Sequence, residues 1–456
     1  MKVLILGAGP TGLGAAKIFQ QAGADWSLLE KNIWPGGLAA SFTSEGFTWD
    51  IGGHVLFSHY ELFDQMLDAV MPEDGWFRHQ RRAYIRIRDT WVPYPFQYNI
   101  RHLLEGEQRR CLDGVREVAA RLAQPPPQTF EEWIYRSMGK GLAELFMVPY
   151  NHKVWAGSPA EMSVQWVGDR VAIPDVARME RHLICQQDDT AWGPNNEFRF
   201  PKINGTGGIW QRMVASMPAS RLRFGVPVVS IDPAKHEVIA ADGEKFTYDV
   251  LMSTLPVDQL TLMAGLKAYA EACQGLVRTR TWVGGVGVRG SVPEAAQNKC
   301  WMYFPEKEYP FYRVTVFSHY SQNNAPPGCY SLMAEISFRP GDPIPANEFL
   351  LKQCIRGLKQ CGLIDSLVEP IHTWSFLANY GYPVPALGRD KILDQVLPGL
   401  SSMGIFSRGR FGAWKYEVGN MDHSFMQGVE AAQGILFGTP ETTLNRPDQV
   451  NAPHKG

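Results

Sequence analysis

KVLILGAGPTGLGAAKIFQQAGADWSLLE, residues 2–30, is the stretch that decides the fold. Lys2–Leu6 is a buried-strand run, and Gly7-Ala8-Gly9-Pro10-Thr11-Gly12 follows it directly as G-x-G-x-x-G. Thr11–Ala22 then reads as a helix with small residues toward a sheet, and Asp25–Glu30 as the next parallel strand. The first glycine permits a tight turn, the second lets backbone approach a pyrophosphate, and the third lets helix pack on strand. The helix N-terminus offers amides and a positive dipole end to phosphates. Glu30 ends the second strand, where a carboxylate can accept ribose hydroxyls. Any one of these glycines could serve an ordinary turn; strand, helix and acid together point to a bound dinucleotide.

The chain has 456 residues, enough for about three domains or one large α/β unit with insertions. Lys+Arg 44 against Asp+Glu 46 gives a net charge of −2, so no global field recruits nucleic acid or membrane. An anionic ligand must be held by local arginines. Seven cysteines stand singly, without C-x-x-C pairs or histidines at metal-ligand spacing. That pattern argues for reduced thiols and against a disulfide framework or a zinc site. No apolar run reaches the length of a membrane span, and Met1–Leu6 reads as a core strand rather than a signal segment. A soluble, cytoplasmic protein is expected, with homo-oligomerisation left open.

Further along, Tyr60–Val70 reads as a helix with Leu62, Phe63, Met66, Leu67 and Val70 inward. Arg78–Arg88 reads as one strand, Tyr84, Arg86 and Arg88 on one face and Ile85 and Ile87 on the other. Gln124–Gln128 is a proline-rich linker, and Thr129 with Glu132 makes a capping box opening a long helix toward Met147. Residues 100–190 are mostly helical on this reading. From Trp282 to Phe338 alternating aromatic segments predict successive strands, and Asn347–Leu363 predicts an amphipathic helix. The polar Gly419-Asn420-Met421-Asp422-His423-Ser424 precedes a helix expected over Gly428–Leu436. The expected class is α/β, with three units: 1–60, 200–262 and 385–440 for the dinucleotide; 61–77 and 97–199 helical; 78–96 and 263–384 an antiparallel sheet that meets the substrate.

Trp34-Pro35-Gly36-Gly37-Leu38-Ala39-Ala40-Ser41 resembles the second glycine signature of FAD oxidoreductases of the glutathione-reductase superfamily. Phe47-Thr48-Trp49-Asp50-Ile51-Gly52-Gly53-His54 resembles the segment that follows it beneath the flavin. Four segments narrow this further. They are Trp91–Gln97 (WVPYPFQ), Phe146–Trp155 (FMVPYNHKVW), Pro310–Arg313 (PFYR) and Ser407–Asn420 (SRGRFGAWKYEVGN). Together they resemble the UDP-galactopyranose mutases of the eukaryotic (fungal) type, from Lys2 to about Asn451.

The resemblance implies an FAD-binding fold and a reaction interconverting UDP-galactopyranose and UDP-galactofuranose, with reduced flavin N5 attacking the anomeric carbon. It assigns the cofactor to Gly7, Gly9, Thr11, Gly12, Glu30, Gly36, Gly37, Leu38, Gly53, His54, Arg410, Gly419, Asn420, Met421 and Ser424. Tyr94, Phe96, Gln97, Phe146 and Asn151 would frame uracil and ribose. Arg170 and Arg313 would clamp the diphosphate, aided by hydroxyls of Tyr303, Tyr320, Tyr382 and Tyr416. Trp155, Asn195 and Asn420 would lie beside the sugar. His54, Arg170 and Arg313 are the catalytic candidates, and no metal is implied. Guanidinium forks suit a diphosphate on physical grounds as well, although either arginine alone could be a surface ion pair.

Eukaryotic-type mutases are reduced by NADPH, and Arg81, Arg82 and Arg410 are candidates for its phosphates. The Arg78–Arg88 cluster reads equally as a solvated strand face, and Ala83 stands where the family pattern has serine. The segment Asn323–Tyr330 is shorter than the family pattern, and Trp374–Asn379 lacks its basic stretch. Three alternatives remain: a mutase of another nucleotide-sugar, an FAD oxidase or desaturase, and a nucleotide-sugar binder without turnover.

Overall fold

The computed structural model describes residues 1–121, 125–168, 171–190 and 196–452. Lys2–Leu6 lies at the centre of a five-stranded parallel sheet in the order Ile405–Ser407, Val250–Ser253, Lys2–Leu6, Asp25–Glu30, Leu222–Phe224. Val3–Leu6 are buried on both faces, which is why the run is continuously apolar rather than alternating. Strands from the start, middle and end of the chain thus share one sheet.

The helix Pro10–Gln21 packs along the helix Met421–Phe437, and two glycines set their distance. A Cβ on Gly14 would fall 2.5 Å from the Phe425 carbonyl oxygen, and one on Gly428 would overlap the Thr11 carbonyl. Met421–Phe437 starts seven residues before the expected Gly428. Its first turn carries Asp422, His423 and Ser424, polar residues that read as loop but are buried in the fold.

A second sheet has seven strands in the order His372–Ala378, Arg280–Arg289, Cys329–Phe338, Arg313–Val316, Trp301–Tyr303, Ala83–Ile87, Thr90–Pro93. It is mixed, not antiparallel throughout: Trp301–Tyr303 runs parallel to Ala83–Ile87. The ribbon Ser41–Ser44/Phe47–Asp50 lies on this sheet, the Phe47 ring over Gly287 and the Trp49 ring over Gly285, where any Cβ would collide. This contact carries the chain into Gly52-Gly53-His54 directly above the sheet.

Two other expectations need correction. Arg78–Arg88 is not one strand. Trp76–Gln80 pairs with Glu197–Pro201 in a separate ribbon, and Ala83–Ile87 joins the large sheet. The chain breaks at Arg81, whose N–H donates to the Asn196 carbonyl (2.7 Å). Nor is its basic face wholly solvated, because Arg81 and Arg86 are buried, Arg86 stacked on Trp91. The helix opened by Thr129 does not run to Met147 unbroken. Thr129 Oγ1 accepts from Glu132 N–H (3.2 Å) as the box requires, but the Glu132 carboxylate accepts from Gln128 rather than from the cap. At Gly139 (φ 70°) the helix Phe130–Leu142 kinks, and only glycine fits the bend, since a side chain there would overlap the Gly114 backbone. A wide turn, Ala143–Met147, and the helix Val148–Trp155 follow. Among the described residues no helix is long and apolar enough to cross a membrane.

Candidate active site

The glycine segments converge on one cradle. Gly7 (φ 104°) turns the chain and donates its N–H to Leu29 O (2.8 Å), and Gly36 (φ 101°) donates to Ala8 O (2.8 Å). A Cβ on Gly37 would lie 3.4 Å from Gly9 Cα, so the two signatures face each other at backbone distance. Gly409 closes the third side, against the Thr11 hydroxyl. The Pro10–Gln21 helix has Gly9 at its N-cap and no side-chain cap, leaving its first amides for a ligand. The buried Glu30 carboxylate holds the turn, accepting from Ala8 N–H (2.7 Å) and from Asn32 (2.9 Å). The Met421–Phe437 helix likewise starts at Asn420 without a side-chain cap. Two uncapped helix starts and a backbone-wide gap fit a dinucleotide.

A path of contacts leads from this cradle to a second set of groups. Arg410 Nη1 donates to Gly419 O (3.0 Å), its Nε donates to Gly381 O (3.2 Å), and its guanidinium lies 4.8 Å from the Tyr382 ring centroid. Tyr382 accepts from Arg313 Nη2 (3.4 Å). Arg313 in turn makes a fork on Glu335, Nε to Oε1 (2.8 Å) and Nη2 to Oε2 (2.7 Å), across directly paired strands. The same carboxylate accepts from Tyr312 O–H (2.7 Å) and Gly53 N–H (3.2 Å). Burial opposes ionisation of Glu335, but the Arg313 charge and these donors outweigh it and hold its carboxyl below the usual range.

His54 follows Gly53 and is half-buried, its Nδ1 3.8 Å from Asp50 Oδ2 and without a hydrogen-bond partner. Beyond it, His59 fastens the loop to the helix start: its Nδ1 and N–H both meet Asp422 Oδ2, at 2.7 and 3.0 Å. His423 joins this buried group, whose ligand-type atoms lie within 4.8 Å of one another. No spacing in the sequence suggests the grouping.

Around Arg313 the predicted aromatics, joined by Tyr150, assemble in two chains of rings. Phe96, Phe146, Tyr150, Tyr303 and Tyr94 are in successive contact, with centroids 5.1–5.8 Å apart. Trp155 touches Tyr382 (5.8 Å) and Tyr416 (4.8 Å), and its Nε1–H donates to Asn151 Oδ1 (3.1 Å). Burial pushes the phenols of Tyr94, Tyr150 and Tyr303 up, so each keeps its O–H at neutral pH. Gln97 donates to Ala172 O, and Asn420 is exposed. Ser424 Oγ donates to Gly419 O (3.4 Å). Leu38 and Met421 are half-buried at the edges of the cradle. Tyr320 is fully buried against Phe198, Phe200 and Phe317; its hydroxyl has no hydrogen-bond partner, but Arg313, Tyr303 and Glu335 are near enough to act on it electrostatically. Arg170 and Asn195 lie outside the described residues.

The sequence reading missed Glu335, Tyr312 and Tyr150. Glu335 had a signal: it is the one charged residue in CYSLMAEISF (329–338), and a lone carboxylate in an apolar strand needs a cation opposite.

Comparison with known proteins follows the same line. The family model described as flavin containing amine oxidoreductase matches residues 10–436. Among solved structures, a reduced UDP-galactopyranose mutase is 44% identical, covers 99% of both chains and superposes with a TM-score of 0.95. A fatty acid isomerase from P. acnes (14% identity, covering 96% of this chain and 98% of that one, TM-score 0.64) and a putrescine oxidase (14%, 95% and 98%, 0.64) share the fold alone. Prolycopene isomerase 1 of an Oncidium hybrid cultivar is 38% identical over 72 residues, 15% of this chain, and the match spans 12% of that relative's length. The fold, the cradle and these likenesses agree: the chain belongs to the flavin-containing amine oxidoreductase family, in the branch of the UDP-galactopyranose mutases.

Proposed function

We propose that the chain interconverts UDP-galactopyranose and UDP-galactofuranose on a reduced flavin. The observation that carries this is the contact path from Gly419 through Arg410, Tyr382 and Arg313 to Glu335 and Gly53. It joins a dinucleotide cradle to a guanidinium bordered by tyrosines, the chemistry a nucleoside diphosphate requires. An amine-oxidising site leaves that guanidinium unexplained.

The residues divide the work. Glu335 takes the Nε and Nη2 side of Arg313, which leaves Nη1 for a phosphate oxygen. Because Glu335 neutralises Arg313, the diphosphate needs a second cation, and Arg170 is assigned that part. Tyr303, Tyr382 and Tyr416 supply O–H donors, and Tyr94, Phe96, Gln97, Phe146 and Asn151 enclose the uridine. Charge gathers on the departing diphosphate, so donors fixed in place before reaction lower the barrier. Reduced flavin, when bound, supplies the nucleophile for the anomeric carbon. Gly7, Gly9, Thr11, Gly12, Gly36, Gly37 and Glu30 hold the dinucleotide; Gly53, His54, Asn420 and Ser424 border its reactive end. Arg81, beside Tyr94, with Arg82 and Arg410, is assigned to the phosphates of an NADPH reductant, and the compartment to the cytoplasm. The three-unit division of the chain belongs to the same reading.

The test is incubation of the dithionite-reduced protein with UDP-galactofuranose under nitrogen and chromatography of the nucleotide-sugars. UDP-galactopyranose is expected. Tight UDP binding without conversion would point to another nucleotide-sugar, and loss of both would return the chain to the oxidases.

A further inference from the structure

Lys153 belongs to the FMVPYNHKVW segment, yet nothing in the reaction uses it. On the helix Val148–Trp155, Asn151 and Trp155 are four residues apart and share the face bonded through Asn151 Oδ1 and Trp155 Nε1. Lys153 lies between them and points the other way. Its Nζ donates to four main-chain carbonyls: Phe311 (2.6 Å), Phe304 (2.7 Å), Glu306 (2.9 Å) and Tyr309 (2.9 Å). All four come from one turn, closed by Phe304 N–H on Tyr312 O (2.9 Å), and that turn leads directly into Tyr312 and Arg313. An ammonium has three donors, so four oxygens in this shell coordinate a cation rather than pair with single N–H groups. Oxygen cages of this kind replace the hydration shell of potassium in channels.

We propose that Lys153 is a positioning residue for the site, a cation built into the chain that gathers the 304–311 turn and thereby fixes Arg313 against the helix carrying Asn151 and Trp155. This rests on the mutase reading for what Arg313 and Asn151 hold, but the cage itself does not depend on it. Burial draws the Lys153 pKa down, and the nearby Glu306 and Glu308 act the other way, as do carbonyl acceptors in general. Without the ammonium, four carbonyl dipoles face one another with no donor, and the turn must open. A cavity of about 250 Å³ beside Lys153, lined by His152, Pro310, Tyr312 and Asp342, gives a small cation access to the vacated cage.

The test uses Lys153→Ala in the full-length flavoprotein, with UDP affinity, kcat and KM measured in choline, potassium and ammonium buffers. In choline, UDP binding is expected to weaken about tenfold, the order of one charge-assisted hydrogen bond, and KM to rise by more than kcat falls. Ammonium or potassium should restore most of that affinity in the variant and leave the wild type unchanged. Lys153→Gln, one atom shorter and with two donors but no charge, should fall between and should not respond to either ion. UDP affinity in folded Lys153→Ala or Lys153→Gln equal to wild type overturns the proposal, as does a weakened Lys153→Ala that ammonium cannot rescue. Wild-type protein that does not bind UDP would refute the functional reading alone. The cage would then be judged by whether ammonium raises the melting temperature of Lys153→Ala but not of wild type, and no such rise would refute it.

Discussion

At the scale of single residues the account turns on Arg313 and Glu335. Removing the guanidinium leaves a buried carboxylate without its partner, a change that costs about 3–5 kcal/mol in comparable pairs. Arg313→Ala is therefore expected to lower the melting temperature and to reduce kcat/KM by about 100-fold or more. Arg313→Lys keeps the charge but not the two-point fork, and steady-state kinetics should place it between the two. Glu335→Gln should retain flavin and raise KM, because Arg313 loses its anchor. Since the folded-state pKa of Glu335 lies below its ordinary value, its contribution to stability is present above about pH 4.3. That contribution is lost as pH falls through the folded value. Thermal melting between pH 7 and 3 should fall more steeply for wild type than for Glu335→Gln. Arg313 was legible in the sequence because it stands in PFYR (310–313); Glu335 was legible only as a lone carboxylate needing a cation, because which cation depends on a partner 22 residues away.

At the scale of elements, the glycines are where sequence and packing meet. Gly14 and Gly428 allow the Pro10–Gln21 and Met421–Phe437 helices to touch through backbone, and Thr11 and Asn420 at their starts border the cradle. Gly428→Ala drives a methyl group into the Thr11 carbonyl. It should cost about 1–3 kcal/mol, as overpacked sites do, and lower the flavin retained on purification, read as the ratio of absorbance at 450 and 280 nm. A wild-type ratio would show that the helix spacing does not shape the cradle. The strand–turn–helix opening was legible because each residue type served its local geometry. The start of the last helix was not, because Asp422 and His423 are polar groups satisfied or enclosed inside the fold. The break at Arg81 was hidden for a related reason: Arg78–Arg82 is polar throughout, so no change of pattern marks where the two halves take different partners.

At the scale of the whole molecule, three distant stretches of chain share the parallel sheet, and both glycine signatures plus the C-terminal helix must assemble before the cradle exists. A ligand that binds only the folded state adds RT ln(1 + [L]/Kd), about 2.7 kcal/mol at a hundredfold excess over Kd. The melting temperature of flavin-stripped protein should climb with added FAD, followed by differential scanning calorimetry; a melting temperature independent of FAD would contradict the cradle. Fold class and cofactor class were readable from motifs because those are local. The coupling of cradle to nucleotide site was not, since it runs through main-chain oxygens of Gly381 and Gly419 that no side-chain pattern records.

The most direct test sets one sample of the flavoprotein against UDP-galactofuranose in three states: oxidised, reduced with dithionite under nitrogen, and reoxidised in air. Conversion to UDP-galactopyranose in the reduced state alone, lost on reoxidation and without net consumption of reductant, is the predicted result. Conversion at equal rate in the oxidised state, or oxygen consumption in place of isomerisation, would contradict it.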